Sequence, residues 1–431
     1  MTSEPTPDLP ARDLDDCFLH DKDRLTHDEA LALIAAHCRP VARTRTVGLE
    51  QAAGCYAAAD VRSGLAIPAH DNAAVDGYAF RHGDLVAPLG AELAVVARLA
   101  AGGGRPEPLR AGAAARIFTG APLPEGADTV VMQEHVTGPR EGVVAIPHGL
   151  KCGANTRLAG EDVAVGGVVV AAGRRLRPQD LAGLASVGCA QVEVFEPLRV
   201  AMFSTGDELR LPGEPLGHGQ VYDANSFLLG GLMRNLPVEV TGMGRLPDRA
   251  DAVRAALTET AASANFILSS GGASRGEEDH LVKAVEALGT LHGWQVAIKP
   301  GRPVGFGAIG ETAVMTLPGN PVAAMVCFLL YALPMLTRLG GGNPAPPTRF
   351  FLPAAFEIGA KKPDRREFLR GHTVMRDGQL RAEIFPNTGS GLISSLRAAT
   401  GLIEIPEEVT SVVPGDMVAF VPFSEFGIVV N

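Results

Sequence analysis

The chain opens on a polar, Pro-rich stretch, MTSEPTPDLPARDLDDC, and the pattern predicts a loose tail over residues 1–23. Thr26 and Glu29 have the spacing of a capping box, so a helix is expected to start there, with Leu31, Leu33, Ile34 and His37 on its apolar side. From 46 to 195 the apolar runs are short and punctuated by Gly and Pro. VVARLAAGG, RIFTGAPLPEGADTVVMQE and VGGVVVAAGRRL read as strands and hairpins. RPQDLAGLASVG reads as one short helix, with Pro178 near its start and Gly188 as its stop.

From 197 the rhythm changes. RVAMF, VEVTGMG, FILSS, WQVAI and AVMTL are short apolar runs that read as strands. Helical patterns fall at about 225–235, at 249–263, and from near Asp279. This alternation predicts a parallel, doubly wound α/β sheet covered on both faces. The longest apolar run, Val322 to Leu336, is too short for a bilayer and contains Pro334, so it reads as a buried helix. A linker, GGGNPAPP, then leads to residues 349–431, where strands and turns predict a small all-β barrel or sandwich.

Composition narrows the function classes. At 431 residues two to four domains are expected, at roughly 100–200 residues each. Net charge is −10 and Lys/Arg-rich runs are missing, which argues against a duplex nucleic-acid binder and an anionic membrane face. The six cysteines form no CxxC pair, so neither a zinc site nor a disulfide framework is suggested. The N-terminal pattern is not that of a signal peptide, and a cytoplasmic protein is expected.

In open α/β sheets ligands bind beyond the carboxyl ends of the strands. Three such ends carry Gly-rich loops: Ser204-Thr205-Gly206-Asp207-Glu208, Ser269-Ser270-Gly271-Gly272 and Pro318-Gly319-Asn320-Pro321. Bare N–H groups, hydroxyls and a following helix start suit phosphate oxyanions, although each loop alone reads equally well as a tight turn. Carboxylates beside a phosphate cradle make sense with Mg²⁺ between them. Glu208 and Asp279 are the candidates, while Glu277 and Glu278 read better as first-turn helix charges. Lys299 and Arg302 in IKPGRP are placed to hold an anion or to be plain turn cations. HDNAAVDGYAF, residues 70–80, is a polar loop in which Asp76-Gly77 should turn; it presents a carboxylate or is a plain Asx turn.

HDNAAVDGYAF resembles the DNSAMDGYA signature of the molybdopterin molybdenumtransferases, the MoeA group that includes the gephyrin E domain. FTGAPLPEGADTVVMQE, GEDV, FSTGDEL, SSGGASRGEEDH, AIKPGRP, LPGNPVA and RREFLRG follow in family order, so the resemblance runs from about residue 25 to the C-terminus. It implies an elongated mixed domain (24–62 with 148–195), a β-rich lobe (63–147), an α/β molybdopterin-binding domain (196–340) and a C-terminal β-barrel (346–431). It also implies a homodimer whose cleft draws on both subunits, and partners such as a molybdopterin adenylyltransferase. The implied reaction takes adenylylated molybdopterin and molybdate with Mg²⁺, and releases AMP and molybdenum cofactor.

Carried over by motif, the family's functional residues fall on Asp76, Thr119, Asp162, Glu208, Asp248 and Asp279, with Lys299, Arg302, Arg365 and Ser390 at the molybdate-holding positions. A divalent cation on Glu208, Asp248 and Asp279 would polarise the phosphoanhydride, and Asp76 and Thr119 would orient water or substrate. The chain departs from the pattern at Arg275, His280, Ala323 and Arg302; Ala323 removes a hydroxyl from one expected molybdate contact. Two competing readings remain at this point. The α/β domain alone could adenylylate molybdopterin or hydrolyse a nucleotide, and gephyrin-type relatives also act as scaffolds.

Overall fold

A computed structural model describes residues 24–429 except 141, 247–248, 273–279 and 388. Asp248, Arg275, Glu277, Glu278 and Asp279 therefore lie outside the described residues, as does the expected tail. The chain divides into two compact units: Thr46–Ala53 with Ala57–Val194, and the segments up to Arg45, Gly54–Tyr56 and Phe195 onward.

The first unit is β-rich, as expected for this stretch. Among its strands are β1 (Asn72–Ala73), β2 (Gly77–Phe80), β3 (Ala91–Leu99), β4 (Ala113–Ile117), β5 (Thr129–Met132), β6 (Thr137–Arg140), β7 (Val143–Ile146) and β8 (Thr156–Arg157). Six of them form one sheet in the order β5-β2-β4-β3-β7-β6, and β1 pairs antiparallel with β8. The sheet is clad on both faces. Tyr78 and Phe80 pack with Leu93, Val131 and Ile146, while the alternate residue Ala79 packs with Ile117 and Val130. Gly77 does not turn, contrary to expectation: it opens β2, where any Cβ would collide with the Val131 carbonyl of β5. The bend falls one step earlier, over residues 74–76.

In the second unit helix α1 (His27–His37) begins as its capping box dictates. Thr26 N and Oγ1 donate to Glu29 Oε2 at 2.8 and 3.0 Å. Its buried side is His27, Ala30 and Ile34, however, and His37 is exposed, its ring stacked on His292 at 4.0 Å. Leu31 and Leu33 are half-buried against the same core as Ile34, as expected, so His37 alone departs from the expected apolar side.

Strands β9 (Leu198–Thr205), β10 (Val238–Leu246), β11 (Phe266–Ser270), β12 (Thr290–Gln295), β14 (Pro303–Ile309) and β15 (Thr312–Leu317) form a six-stranded sheet in the order β10-β9-β11-β15-β14-β12; β13 (Ile298–Lys299) lies outside it. The first four strands are parallel, but β14 runs antiparallel to both its neighbours, β15 and β12, so the sheet is mixed rather than all-parallel. Alternate residues of β9 face opposite cores. Val200 and Met202 pack under α2 (Asn225–Met233) and the long helix α5 (Pro321–Leu339), and Ala201 packs under α3 (Ala250–Ala261) and α4 (His280–Leu288). Helices on both faces make this the expected α/β architecture.

Helix α5 is long and apolar enough to cross a membrane, yet 78% of its most apolar stretch is buried inside the protein, as a core helix should be. Pro334 does not end it. A π-helical stretch over Phe328–Ala332 precedes the proline and absorbs its missing N–H and its clash with the preceding turn.

WQVAI is not one strand. Gln295 ends β12, and the chain breaks step so that β13 leaves for a second sheet. There it pairs with β17 (Arg366–Arg376), followed by β19 (Gly401–Ile405), β20 (Met417–Pro422) and β16 (Phe350–Pro353), with β18 (Gln379–Ile384) on the far side of β17. This C-terminal sheet has its own core, including Leu369, Ile403, Val418 and Phe420. No disulfide links the described cysteines, which are all free thiols.

Candidate functional site

The three Gly loops lie side by side. Strands β9, β11 and β15 are consecutive parallel neighbours, with Ser204 paired to Ser270 and Ser270 to Leu317, so their loops leave the same sheet edge. Polar ties join them. Asn225, the first residue of α2, donates from Nδ2 to Ser270 Oγ at 2.6 Å and to the Gly319 carbonyl at 2.7 Å. Ser204 Oγ and Ser226 Oγ share a hydrogen bond of 2.8 Å, and the Ser226 N–H and hydroxyl both donate to the buried Asp223 carboxylate. Gly271 takes φ +87, and a Cβ there would stand 2.7 Å from both Thr205 O and Thr205 Oγ1. Glycine is needed there for its conformation and for the closeness of the loops.

Asp207 and Glu208 are exposed, and the Glu208 carboxylate folds back over Gly206, which has φ +136. Pro318, Gly319, Asn320 and Pro321 lead into α5. Asn320 occupies the N-cap position but caps no helix N–H; its Nδ2 donates instead to Ser390 Oγ at 3.1 Å. Val322 N also donates to Ser390 O at 3.1 Å, so Ser390 is seated on the PGNP loop.

The basic candidates divide. Lys299 and Arg365 converge on Glu367: Lys299 Nζ lies 3.6 Å from one carboxylate oxygen and Arg365 Nε donates at 3.0 Å to the other. Pairing of β13 with β17 sets Lys299 beside Glu367 in register. Arg302 turns elsewhere, donating from Nε to Gln295 Oε1 at 3.3 Å. Asp223, Asn225, Ser226 and Glu367 were not singled out from sequence. VYDANSF, with its cluster of polar residues before an apolar helix, was the available signal for the first three.

In the β-rich unit, Asp76 and Thr119 meet across 43 residues of sequence. Thr119 N and Oγ1 donate to Asp76 Oδ1 at 2.8 and 2.7 Å. These two bonds, with Arg116 nearby, hold the Asp76 carboxyl below the usual aspartate range. Thr119-Gly120 is a turn, as expected, with Gly120 at φ +79. Asp162 is exposed, its N–H donating to Ile67 O at 3.0 Å; its segment reaches the Asp71–Asn72 stretch through β8, where Arg157 pairs with Asn72.

Family models match in three consecutive blocks. Residues 25–188 match the MoeA N-terminal region (domain I and II), 201–338 a probable molybdopterin binding domain, and 354–423 the MoeA C-terminal region (domain IV). A molybdopterin molybdenumtransferase of Haemophilus influenzae is 36% identical over 402 residues, 93% of this chain and 99% of that protein. The chain belongs to the molybdopterin molybdenumtransferase family. Molybdopterin molybdenumtransferase 2 of Mycobacterium tuberculosis is 35% identical, over 90% of this chain and 96% of its own. A crystal structure of the MoeA protein of Pyrococcus horikoshii superposes with a TM-score of 0.78 at 29% identity, covering 93% of this chain and 100% of that one.

For a MoeA-family chain the donor set at the strand ends is informative. It consists of oxygens: the Glu208 carboxylate and the hydroxyls of Ser204, Thr205 and Ser270. Such donors fit a hard cation such as Mg²⁺ rather than zinc. Among the described residues no group of three or more His, Cys, Asp or Glu is placed to hold a metal, and two of the three expected carboxylates, Asp248 and Asp279, lie outside them. Asn225 Oδ1 is a buried acceptor with no partner among the described residues, which suits an N–H or O–H of a bound heterocycle or sugar. Ala323 is buried in the first turn of α5, 4% exposed, so that position offers no group to a ligand.

Proposed function

We propose that this MoeA-family transferase of molybdenum-cofactor biosynthesis inserts molybdate into adenylylated molybdopterin and releases AMP. The observation that carries the reading is the set of three cross-tied loops at consecutive parallel strand ends, held by Asn225 and facing an oxygen-rich edge. In open α/β sheets this edge is where phosphorylated ligands bind.

The residues then take the following parts. Ser204, Thr205, Gly206, Asp207, Ser270, Gly271, Gly272, Pro318, Gly319, Asn320 and Pro321 cradle the substrate with hydroxyls and backbone N–H groups. Glu208, Asp248 and Asp279 hold Mg²⁺, which when bound neutralises charge on the phosphoanhydride. Lys299, Arg365 and Ser390 hold molybdate, with Glu367 fixing Lys299 and Arg365, and Arg302 joins them by leaving Gln295. The charge of Glu367 offsets part of theirs, which keeps the anion exchangeable rather than trapped. Asp76, with Thr119 and Asp162, orients water or substrate. Cleavage of the anhydride makes insertion effectively irreversible. A cytoplasmic homodimer that receives its pterin from an adenylyltransferase completes the proposal.

The test is AMP release from adenylylated molybdopterin with Mg²⁺, with and without molybdate, in the wild type and in Asp279→Asn. Release that requires molybdate and is lost in the variant is the expected result. Release indifferent to molybdate would instead mark a nucleotide hydrolase, and no release from a dimer that still binds would mark a scaffold.

A further inference from the structure

Around Asp76 the structure closes a polar ring that the sequence did not suggest. Arg116, on β4, sends one guanidinium nitrogen to the Gly77 carbonyl at 3.0 Å and the other to Gln133 Oε1. Gln133 in turn donates its backbone N–H to the Asp76 carbonyl at 3.1 Å. The Gly77 carbonyl is therefore held by the Arg116 side chain and the Asp76 carbonyl by the backbone N–H of Gln133, whose side chain Arg116 also holds, while Thr119 holds the carboxylate.

The guanidinium itself is braced. It lies 5.1 Å from the ring centre of Tyr78, its register partner on β2, and 4.8 Å from that of Phe118, whose ring also meets Arg98 at 4.5 Å. Phe118 directly precedes Thr119, so the same stack fixes the residue that grips the carboxylate. A flat fork that donates to two separate acceptors and stacks on rings is arginine chemistry, which a lysine ammonium does not reproduce. Two arginines at paired positions, Arg98 and Arg116, repel each other. The shared ring and the neighbouring Asp76 offset that repulsion.

We propose that Arg116 is a positioning residue for Asp76, acting with Gln133 to fix the Asp76–Gly77 backbone so that the carboxylate stays on Thr119. The inference rests on the reading of Asp76 as a catalytic group. Arg116 acts through Asp76 and makes no claim on substrate.

The test compares Arg116→Met, Arg116→Lys, Thr119→Val, the double variant Arg116→Met/Thr119→Val, and Asp76→Asn in the molybdate-dependent AMP-release assay. Arg116→Met is expected to lower kcat about tenfold or more, with KM within about threefold, and Arg116→Lys to recover only part of it. Since Arg116 and Thr119 fix the same carboxylate, the double variant should lose much less than the product of the two single losses. Where Arg116→Met does not fold by thermal unfolding, Arg116→Lys takes its place in the cycle. Wild-type kcat in the Arg116 variants, or losses that multiply, would overturn the inference. Full activity in Asp76→Asn would remove the catalytic reading of Asp76 itself; an inactive Asp76→Asn beside unaffected Arg116 variants would remove only the role of Arg116.

Discussion

Thr119 grips Asp76 twice at one atom: its backbone N–H and its hydroxyl both donate to Asp76 Oδ1, at 2.8 and 2.7 Å. Such donors favour the ionised carboxylate and keep its lone pairs aimed in one direction. Thr119→Val removes the hydroxyl and keeps shape and the backbone donor. The carboxyl should then titrate higher, so the acid limb of the pH–kcat profile should move to higher pH. The sign follows because a depressed carboxyl stays charged to lower pH than a free one. We expect kcat to fall about tenfold at neutral pH, within the range of a disturbed acid–base group. A profile that superposes on wild type would remove Asp76 from the rate-limiting chemistry.

Gly271 supports the second prediction. Gly271→Ala meets two obstacles: φ +87, and Thr205 O and Oγ1 each 2.7 Å from the new methyl. The first costs about 1–2 kcal/mol. The second cannot be relieved without parting the loops after β9 and β11. We expect a lower Tm and a loss in kcat/KM of at least about tenfold. Gly310→Ala is the control: it has φ +59 but nothing within 4 Å, so it carries the strain alone. It should lower stability by about 1 kcal/mol and leave kcat/KM unchanged. Equal kinetics in the two variants would mean that the Gly271–Thr205 approach has no bearing on the site.

What the sequence made legible was local. The Thr26–Glu29 capping box, the Pro178 and Gly188 helix limits, and the three Gly loops all depend on residues close in the chain, and each stands where expected. What it hid was pairing. β13 leaves the α/β region for the C-terminal sheet because its partner is β17, about 70 residues on, and nothing in WQVAI encodes that choice. The mixed sheet was missed for the same reason, since the reversal of β14 follows from hairpin geometry rather than from composition. The Asp76–Thr119 pair and the approach of Lys299 to Glu367 are likewise long-range contacts. Resemblance supplied Asp76 and Thr119 as functional positions, but only the fold makes them neighbours.

His27 yields the last prediction. Its ring is buried in the second unit, its Nδ1 shares a 2.9 Å hydrogen bond with Tyr331 OH, and it packs 5.5 Å from the Phe368 ring. Burial, seconded by the Arg366 charge, lowers its pKa to about 4; Glu404 and Asp28 oppose this, and Arg349 adds to it. The unfolded chain takes up this proton near pH 6.5, the folded chain only near 4. Between those values the unfolded state binds more protons, so stability rises with pH there, is complete above about 6.5, and is lost as pH falls through the window. The full loss amounts to about 3 kcal/mol. His27→Gln keeps a hydrogen-bonding group for Tyr331 and removes the titration. Other groups also titrate in this range, so the measurement is the difference between the two proteins in urea midpoint at pH 7 and pH 4.5. The wild type should lose more than the variant on acidification, by about 2 kcal/mol expressed as free energy. If the midpoints fall in parallel, the His27 ring is charged or hydrated in the native state, and the closed packing of α1 against Tyr331 and Phe368 is wrong.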